Sequence, residues 1–320
     1  MIGTVTINPA LEKLYFIEDF TVNRLHRLSE VQGVQILPGG KGVDISRLLK
    51  NVGLDSIALG LAGGNNGRVL LVELRKTGVT TGFTPTENET RTNIYILDNK
   101  NHTLTQINES GSCVDEDDIH LFMDQYERVV QQVDIMVLAG ALCPGMDRGF
   151  YRELVLIAAE AGCRTFLHAS PDILEASLPC GPTCILPDMR MGGLFFGHKL
   201  RSPDICILAG SEIIGRDPDI ELVVFSHLVR QDGMLVAVTR NRAMIFKPDD
   251  SSYVNLFGFS NAIVAGIVYG MSHQKSFQEA MYYGCAFGYA VTREREKSSP
   301  NLDVIKSYLP KIRCCEERSL

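Results

Sequence analysis

The residues with the clearest chemical potential are Pro38-Gly39-Gly40-Lys41-Gly42, which open a helix-like segment. Glycines let a backbone approach a ligand closely. The first turn of a helix offers unpaired N–H groups and the positive end of its dipole to an anion. Lys41 adds a formal charge. The same residues also suit a plain strand-to-helix turn with a solvated lysine, and on their own they leave the two readings level. Cysteine chemistry is not indicated. The nine cysteines (Cys113, Cys143, Cys163, Cys180, Cys184, Cys206, Cys285, Cys314 and Cys315) include no CxxC pair. Cys180 and Cys184 are close in sequence, but no second pair accompanies them to complete a zinc site, and no metal ligand set is assigned. An odd, unpatterned set in a chain of this length reads as reduced thiols, with the cytoplasm as the expected location.

Hydrophobic periodicity supplies the elements that would position such a turn. Residues 2–7 read as a buried strand, and 42–52 as a helix with Val43, Ile45, Leu48, Leu49 and Val52 near helical spacing. Strands are expected at 57–62, 135–138, 165–167, 205–208 and 235–238. Helices are expected at 68–77, 115–130, 148–161, 261–271 and 277–291. That alternation predicts an α/β fold, a doubly wound, mostly parallel sheet flanked by helices. Two stretches, 14–30 and 92–106, carry strand-like alternation with no helix between, which predicts short antiparallel strands forming a small β lid. A flap that small rarely stands alone in water, so the lid is expected to pack against a partner chain, as a homodimer. The expected organisation is a core of residues 1–10, 37–86 and 111–320, with 11–36 and 87–110 as lid and dimer clasp. The polar end from 293 predicts one helix at 302–309, then a frayed tail.

Composition sets bounds on function. With 320 residues, 45% hydrophobic and 22% charged, the chain is ordinary globular material and large enough for one big α/β unit. A net charge of −7 argues against a nucleic-acid partner, which requires concentrated positive charge. No apolar run reaches the ~18–20 residues of a membrane span, and the first residues lack a basic leader, so no membrane partner is expected.

Further motifs fall in order along the chain: Asn8-Pro9-Ala10-Leu11, Gly39-Gly40-Lys41-Gly42, Gly63-Gly64, Thr90-Arg91, Ala139-Gly140-Ala141-Leu142-Cys143-Pro144-Gly145 and Val264-Ala265-Gly266. With them the chain resembles the ribokinase/PfkB family of carbohydrate kinases over nearly its whole length, most closely the 1-phosphofructokinase and tagatose-6-phosphate kinase branch. The resemblance implies a ribokinase-like core with sugar phosphate held between lid and core. It also implies ATP with Mg2+ along the C-terminal half, and an Asp base that deprotonates the accepting hydroxyl. It places Asn8, Glu12, Gly39, Gly40, Lys41, Asp44 and Arg91 around the substrate, with Lys41 and Arg91 as the cations near its phosphate. A planar guanidinium suits bidentate phosphate contact. Phosphoryl transfer is mostly positioning and charge neutralisation, which fits such a site.

Several positions depart from the family pattern. The Gly-Ala-Gly-Asp turn corresponds to Gly258-Phe259-Ser260-Asn261, so the base position holds Asn261. A carboxamide takes up no proton near neutral pH, and losing a base typically costs about 10²–10⁴ in rate. Phe259 and Ser260 replace small residues, which predicts an obstructed anion cradle at Gly258, Phe259 and Ser260. The same turn also reads as a helix N-terminus capped by Ser or Asn. The Lys-Pro-Asn-x-x-Glu segment becomes Leu186-Pro187-Asp188-Met189-Arg190-Met191, and the methionine offers Mg2+ no hard oxygen. The nucleotide turn becomes Thr239-Arg240-Asn241-Arg242, with arginines where glycines would admit adenosine diphosphate. Arg240 and Arg242 either grip an anion or sit solvated on a surface turn. The Asp-x-Ser-Gly segment becomes His168-Ala169-Ser170-Pro171, where a lone His after an apolar strand reads as structural. Glu12 stands in for an Asp, Asp44 for an Asn and Ala141 for a Ser.

Three readings follow. In the first, a kinase homologue has kept sugar-phosphate binding while its phosphotransfer is crippled. In the second, an active ATP-dependent kinase converts fructose 1-phosphate or tagatose 6-phosphate, with Asp188 or another carboxylate as base. In the third, a different anionic donor meets Arg240 and Arg242. Simultaneous changes in base, metal and nucleotide positions favour the first.

Overall fold

A computed structural model of the chain describes residues 1–28, 33–189, 194–226, 233–250, 257–293 and 299–320. From the N-terminus run β1 (Ile2–Thr6), β2 (Ala10–Ile17), β3 (Val34–Gly39), α1 (Lys41–Asn51), β4 (Ser56–Gly63), α2 (Gly64–Lys76) and β5 (Thr80–Thr86). The middle contributes β6 (Arg91–Asp98), β7 (Thr103–Asn108), α3 (Glu116–Val130), β8 (Ile135–Ala139), α4 (Phe150–Glu160), β9 (Arg164–His168), α5 (Pro171–Ser177) and β10 (Cys184–Ile185). The remainder is α6 (Pro203–Ile214), β11 (Leu222–Ser226), β12 (Leu235–Val238), β13 (Arg242–Pro248), α7 (Phe259–Ser272), α8 (Phe277–Thr292), α9 (Leu302–Tyr308) and β14 (Ile312–Ser319).

Every residue of β1 and β8 is buried, as befits strands covered on both faces. They lie inside a ten-stranded sheet ordered β14-β13-β12-β11-β10-β9-β8-β1-β4-β5. From β5 to β11 the pairs are parallel, and β12 to β14 add an antiparallel margin. One face is packed by α3, α4, α5 and α6 through a core that includes Phe122, Tyr151, Leu154 and Ile213. The other is packed by α1, α7, α8 and α9 around Ile45, Phe246, Ile263 and Phe287. Helices α7 and α8 approach so closely that a Cβ on Gly266 would lie 2.4 Å from the Tyr283 carbonyl oxygen. The strand order reverses at β1, which neighbours both β4 and β8. A doubly wound sheet opens a ligand crevice at such a point, beyond the carboxyl ends of its strands.

The second sheet, ordered β3-β2-β6-β7, stands over that crevice. Its pairing differs from the expected antiparallel flap. β2 and β6 run parallel from Ala10↔Arg91 to Ile17↔Asp98, and only the outer pairs are antiparallel. The reason is topological: β2 and β6 each leave the core sheet in the same direction, after β1 and β5. The small sheet reaches Gly39 at the very start of α1, so the glycine turn joins both sheets.

Two other expectations are corrected. Residues 205–208, expected as a strand, lie inside α6. Ser202 accepts from the Ile205 amide at its N-terminus, and Pro203 takes the first turn. A run of four apolar residues has no period of its own, and the cap decides it. The polar tail expected to fray is β14, paired with β13 from Pro248↔Ile312 to Arg242↔Ser319. Its charged side chains mark an edge strand, where they discourage pairing with another chain.

Candidate active site

The crevice between the two sheets is a cavity of about 310 Å³. Its floor comes from the carboxyl ends of core strands: Thr6 at the end of β1 and Asn8 beyond it, Gly140 and Ala141 after β8, Ser170 after β9 and Asp188 after β10. One wall is the start of α1 (Gly40, Lys41 and Asp44), and another is the head of α7 (Gly258 to Asn261). The roof is the inner face of the small sheet, where alternation aims Glu12, Asn93, Tyr95, Gln106 and Asn108 at the core. Tyr95 meets Phe257 edge-on with ring centroids 4.3 Å apart, tying roof to α7.

The glycines have specific steric reasons. A Cβ on Gly39 would lie 2.2 Å from the Glu12 carboxyl carbon, and one on Gly42 would lie 2.6 Å from the Val5 carbonyl oxygen. Gly40 caps α1 at φ 117°, a conformation that side chains resist. Together they press α1 against β1 and bring Lys41 into the cavity. There Lys41 Nζ pairs with Asp188 at 2.6 Å, both side chains 13% exposed. Arg91 also lines the cavity, but its donors turn to the main chain. They reach the carbonyls of Asn8 (2.9 Å), Glu109 (2.9 Å) and Pro9 (3.4 Å). Burial lowers the Arg91 pKa, against the opposing effect of Glu12 and Glu109. The Asn8 amide donates to the carbonyls of Ser110 and Leu142, tying the chain that leaves β7 to the loop that follows β8. Glu12 accepts from the Tyr95 hydroxyl at 3.1 Å.

At the head of α7, Gly258 adopts φ 73° and the amides of Phe259, Ser260 and Asn261 form the first turn, with no acceptor inside the helix. Phe259 does not obstruct this cradle as expected. Its ring turns into the α7–α8 interface, where a Cβ on Gly288 would lie 2.9 Å from it. Ser260 is held from behind by His168. The Leu186 carbonyl can only accept, so His168 Nδ1 (2.8 Å away) carries the proton and Nε2 accepts from the Ser260 hydroxyl at 3.2 Å. His168 is fully buried and joins β9, the chain after β10, and α7, which is a structural placement.

Asn261 and Asp44, 217 residues apart, meet inside the cavity: Asn261 Nδ2 donates to Asp44 Oδ2 at 2.9 Å. The carboxylate is acceptor-only when ionised, so it fixes which end of the amide faces it. Arg47 Nη1 lies 3.7 Å from Asp44 Oδ1. Sequence reasoning singled out both residues but not their contact. It also missed Asn93, Tyr95, Gln106 and Asn108, for which the signal was the alternation of β6 and β7 in register with Glu12.

The three positions assigned to nucleotide lie away from this cavity. The Thr239 amide and hydroxyl donate to the Arg242 carbonyl, closing the β12–β13 turn. Arg240 reaches the carbonyls of Ile214, Asp217 and Pro218 after α6, and Arg242 pairs with Glu317 on β14 at 3.0 Å. Met191 lies outside the described residues. Among the described residues, no group of three or more His, Cys, Asp or Glu side chains is placed to hold a metal ion, and no helix is long and apolar enough to cross a membrane.

The sequence profile of the pfkB family carbohydrate kinases matches residues 12–303. The chain is 29% identical to a 1-phosphofructokinase of Bacillus subtilis (strain 168) over 314 residues, covering 98% of this chain and 99% of that one. It is 27% identical to a tagatose-6-phosphate kinase of Staphylococcus epidermidis over 320 residues, 99% of this chain and 100% of the other. Among solved structures, a possible 1-phosphofructokinase from Thermotoga maritima superimposes with a TM-score of 0.92 at 34% identity, over 100% of this chain and 99% of that one.

Proposed function

The chain belongs to the pfkB family of carbohydrate kinases, and on that premise we propose that it binds a phosphorylated sugar in the cavity but transfers phosphoryl groups slowly. The observation that carries this reading is the Asn261 amide, seated at the head of α7 with its nitrogen donating to Asp44 at 2.9 Å. A group held as a donor and lacking useful basicity does not remove a proton from a hydroxyl, and the usual loss for a missing base is about 10²–10⁴ in rate. Ligand binding draws on parts that remain. Lys41 supplies positive charge for phosphate, Arg91 and Asn8 hold the wall rigid, and Glu12 and Asn93 face the sugar hydroxyls from the roof.

ATP and Mg2+ fit these residues poorly. The arginines of the β12–β13 turn are engaged with carbonyls and Glu317, and Asp188, the carboxylate nearest the expected metal role, is engaged by Lys41. The outer face of the small sheet supports the homodimer. Val34 and Ile36 on β3 and Ile107 on β7 are exposed around Tyr15, Ile94 and Ile96, an apolar patch of the kind that seeks a partner. Nine free thiols support a reducing, cytoplasmic setting.

Two measurements test the reading. Coupled ADP release with fructose 1-phosphate and tagatose 6-phosphate should stay well below the ordinary ~1–100 s⁻¹ of kinases. Thermal-shift titration should show stabilisation by sugar phosphate and none by ATP-Mg. Brisk turnover, or the reverse pattern of shifts, refutes it.

A further inference from the structure

We infer that Cys113 and Cys143 form a modifiable thiol pair: a peroxide converts them into a disulfide that fastens the segment leaving the small sheet to the loop after β8. The inference stands apart from the proposed sugar-phosphate binding and needs no kinase activity.

The fold brings together two thiols that the sequence leaves unrelated. Cys113 lies between β7 and α3, and Cys143 lies between β8 and α4. One side chain joins the two segments, because Asn8 Nδ2 donates to the Ser110 carbonyl at 2.9 Å and to the Leu142 carbonyl at 3.0 Å. Cys143 is the next residue after one of these contacts, and Cys113 follows the other by one turn of chain. The Cys143 carbonyl accepts from the Met146 amide, and a Cβ on Gly145 inside that turn would lie 3.9 Å from the Cys113 sulphur. Both cysteines line a single cleft of about 20 Å³ with Asn88, Arg91 and Ser112, a space that holds little more than one water. Asn88 donates to the Cys113 carbonyl at 2.9 Å, and the Ser112 hydroxyl donates to the Glu89 carbonyl at 3.0 Å, so the approach is held in place. Neither cysteine belongs to a helix or strand. Their backbones can therefore adjust to disulfide spacing without breaking a hydrogen-bond ladder.

The two thiols have unequal roles. Cys113 is exposed, whereas Cys143 is 8% exposed and burial pushes its thiol up to about 11, with Arg91 opposing. The oxidant therefore meets Cys113 first. Peroxide transfers one oxygen to the Cys113 sulphur, giving a sulfenic acid and one water. The Cys143 sulphur then attacks the sulfenic sulphur; the S–S bond forms, the S–O bond breaks, and the departing hydroxide takes the Cys143 proton as a second water. Two thiols lose two electrons and one peroxide gains them. The product links the exit of roof strand β7 to the loop whose Gly140 and Ala141 floor the cavity, and a dithiol reductant restores both thiols.

The test treats the full chain with hydrogen peroxide, blocks remaining thiols with iodoacetamide and digests with trypsin without reduction. Cleavage after Lys100, Arg128 and Arg148 places each cysteine alone in its own peptide, 101–128 and 129–148. A joined peptide should appear, lighter than its two thiol parents by two hydrogen atoms. Dithiothreitol should abolish it, and Cys113→Ser, a change at an exposed site, should never form it. Closing a loop of this length should raise Tm by about 6 °C in the linked protein. Hydrogen exchange across residues 109–114 should slow by about threefold or more. Recovery of both peptides separately alkylated at every peroxide concentration overturns the inference. So does a link formed without a rise in Tm, which would mean that the fold had to distort to make it. Faster linkage among Cys285, Cys314 and Cys315 than between Cys113 and Cys143 overturns it as well.

Discussion

On the proposed reading an aspartate at the head of α7 is the obvious repair, and the Asn261–Asp44 contact predicts that Asn261→Asp does not restore ordinary turnover. The new carboxylate would face Asp44 Oδ2 across the 2.9 Å now spanned by a hydrogen bond. Two unit charges at that distance repel by about 5–6 kcal/mol at an effective dielectric constant of ~20. The pair would keep a proton rather than carry both charges. Holding a proton at pH 8 on a group of ordinary pKa ~3.9 costs a similar amount, at ~1.36 kcal/mol per unit. Arg47 and Lys41 offset part of this, leaving about 3 kcal/mol of lost stability, or about 6 °C in Tm at ~2 °C per kcal/mol. The sign follows from linkage. A carboxyl whose folded pKa is raised above its unfolded value destabilises increasingly as pH rises, so the deficit should shrink to about 1–2 °C at pH 5. A proton retained by the pair also blunts the restored base, and the nucleotide positions are unchanged. Turnover should therefore remain at least ~10²-fold below ordinary kinase rates. Thermal melts at pH 8 and pH 5, with coupled ADP release on the same protein, measure both effects. A variant that melts like wild type at pH 8 and turns over at ordinary rates would show that Asp44 is not the neighbour described, and that the other departures are harmless.

Other outcomes follow from the same contacts. His168→Ala removes a fully buried ring and orphans the Leu186 carbonyl, so about 2–4 kcal/mol and roughly 4–8 °C in Tm should be lost. Sugar-phosphate affinity should change by less than about threefold, because His168 stands behind Ser260 and outside the cavity; a large affinity loss without a melting change would make it a ligand residue. Ile36→Lys with Ile107→Lys places two charges on the outer face of the small sheet and should convert a dimer to a monomer in light scattering. An unchanged mass would exclude that face as the clasp. Asp98 accepts from the Asn101 side chain and from the amides of Phe20, Asp19, Lys100 and Asn101, which holds its carboxyl well below the usual range. That stability is present above pH ~4 and is lost as pH falls toward the folded pKa. Asp98→Asn should accordingly flatten the loss of stability between pH 4 and 2, and a slope identical to wild type would contradict the assignment.

The core was legible because its signals are local. Continuous apolar runs such as residues 2–7 mark strands covered on both faces, and the spacing of Val43, Ile45, Leu48 and Leu49 marks a helix. Where the deciding feature lay outside the apolar or polar run itself, the sequence misled. The apolar stretch at 205–208 is helical because of Ser202 and Pro203 beside it, and the charged tail is ordered because β13 offers it an edge. The site divides the same way. Lys41 and the glycines around it marked the strand-to-helix turn through their own types, and left an anion site and a plain turn level. Phe259 seemed obstructive by its volume, but the direction of its ring depends on the gap that Gly288 leaves in α8. Arg240 and Arg242 read as either an anion grip or solvated side chains on a surface turn, and the structure engages them instead with the carbonyls after α6 and with Glu317 on β14.

The Asp44–Asn261 contact lies furthest beyond sequence reading, because it joins positions 217 apart through one hydrogen bond. Its physics also shows how fold and chemistry can separate. A carboxylate and a carboxamide have nearly the same shape, and a pair of them is equally satisfied with the charge on either helix. The packing of α1 against α7 thus places little constraint on which residue carries the charge, and the fold persists through the exchange. Proton chemistry has no such tolerance, since only the carboxylate accepts a proton and its oxygens now issue from α1. On the proposed reading, a ligand hydroxyl held for attack would have to align with the acceptor and with the α7 amides together, and an acceptor displaced by a hydrogen-bond length would lose that alignment while keeping a polar contact. Binding that survives while turnover falls is the expected consequence of keeping the pair and exchanging its members.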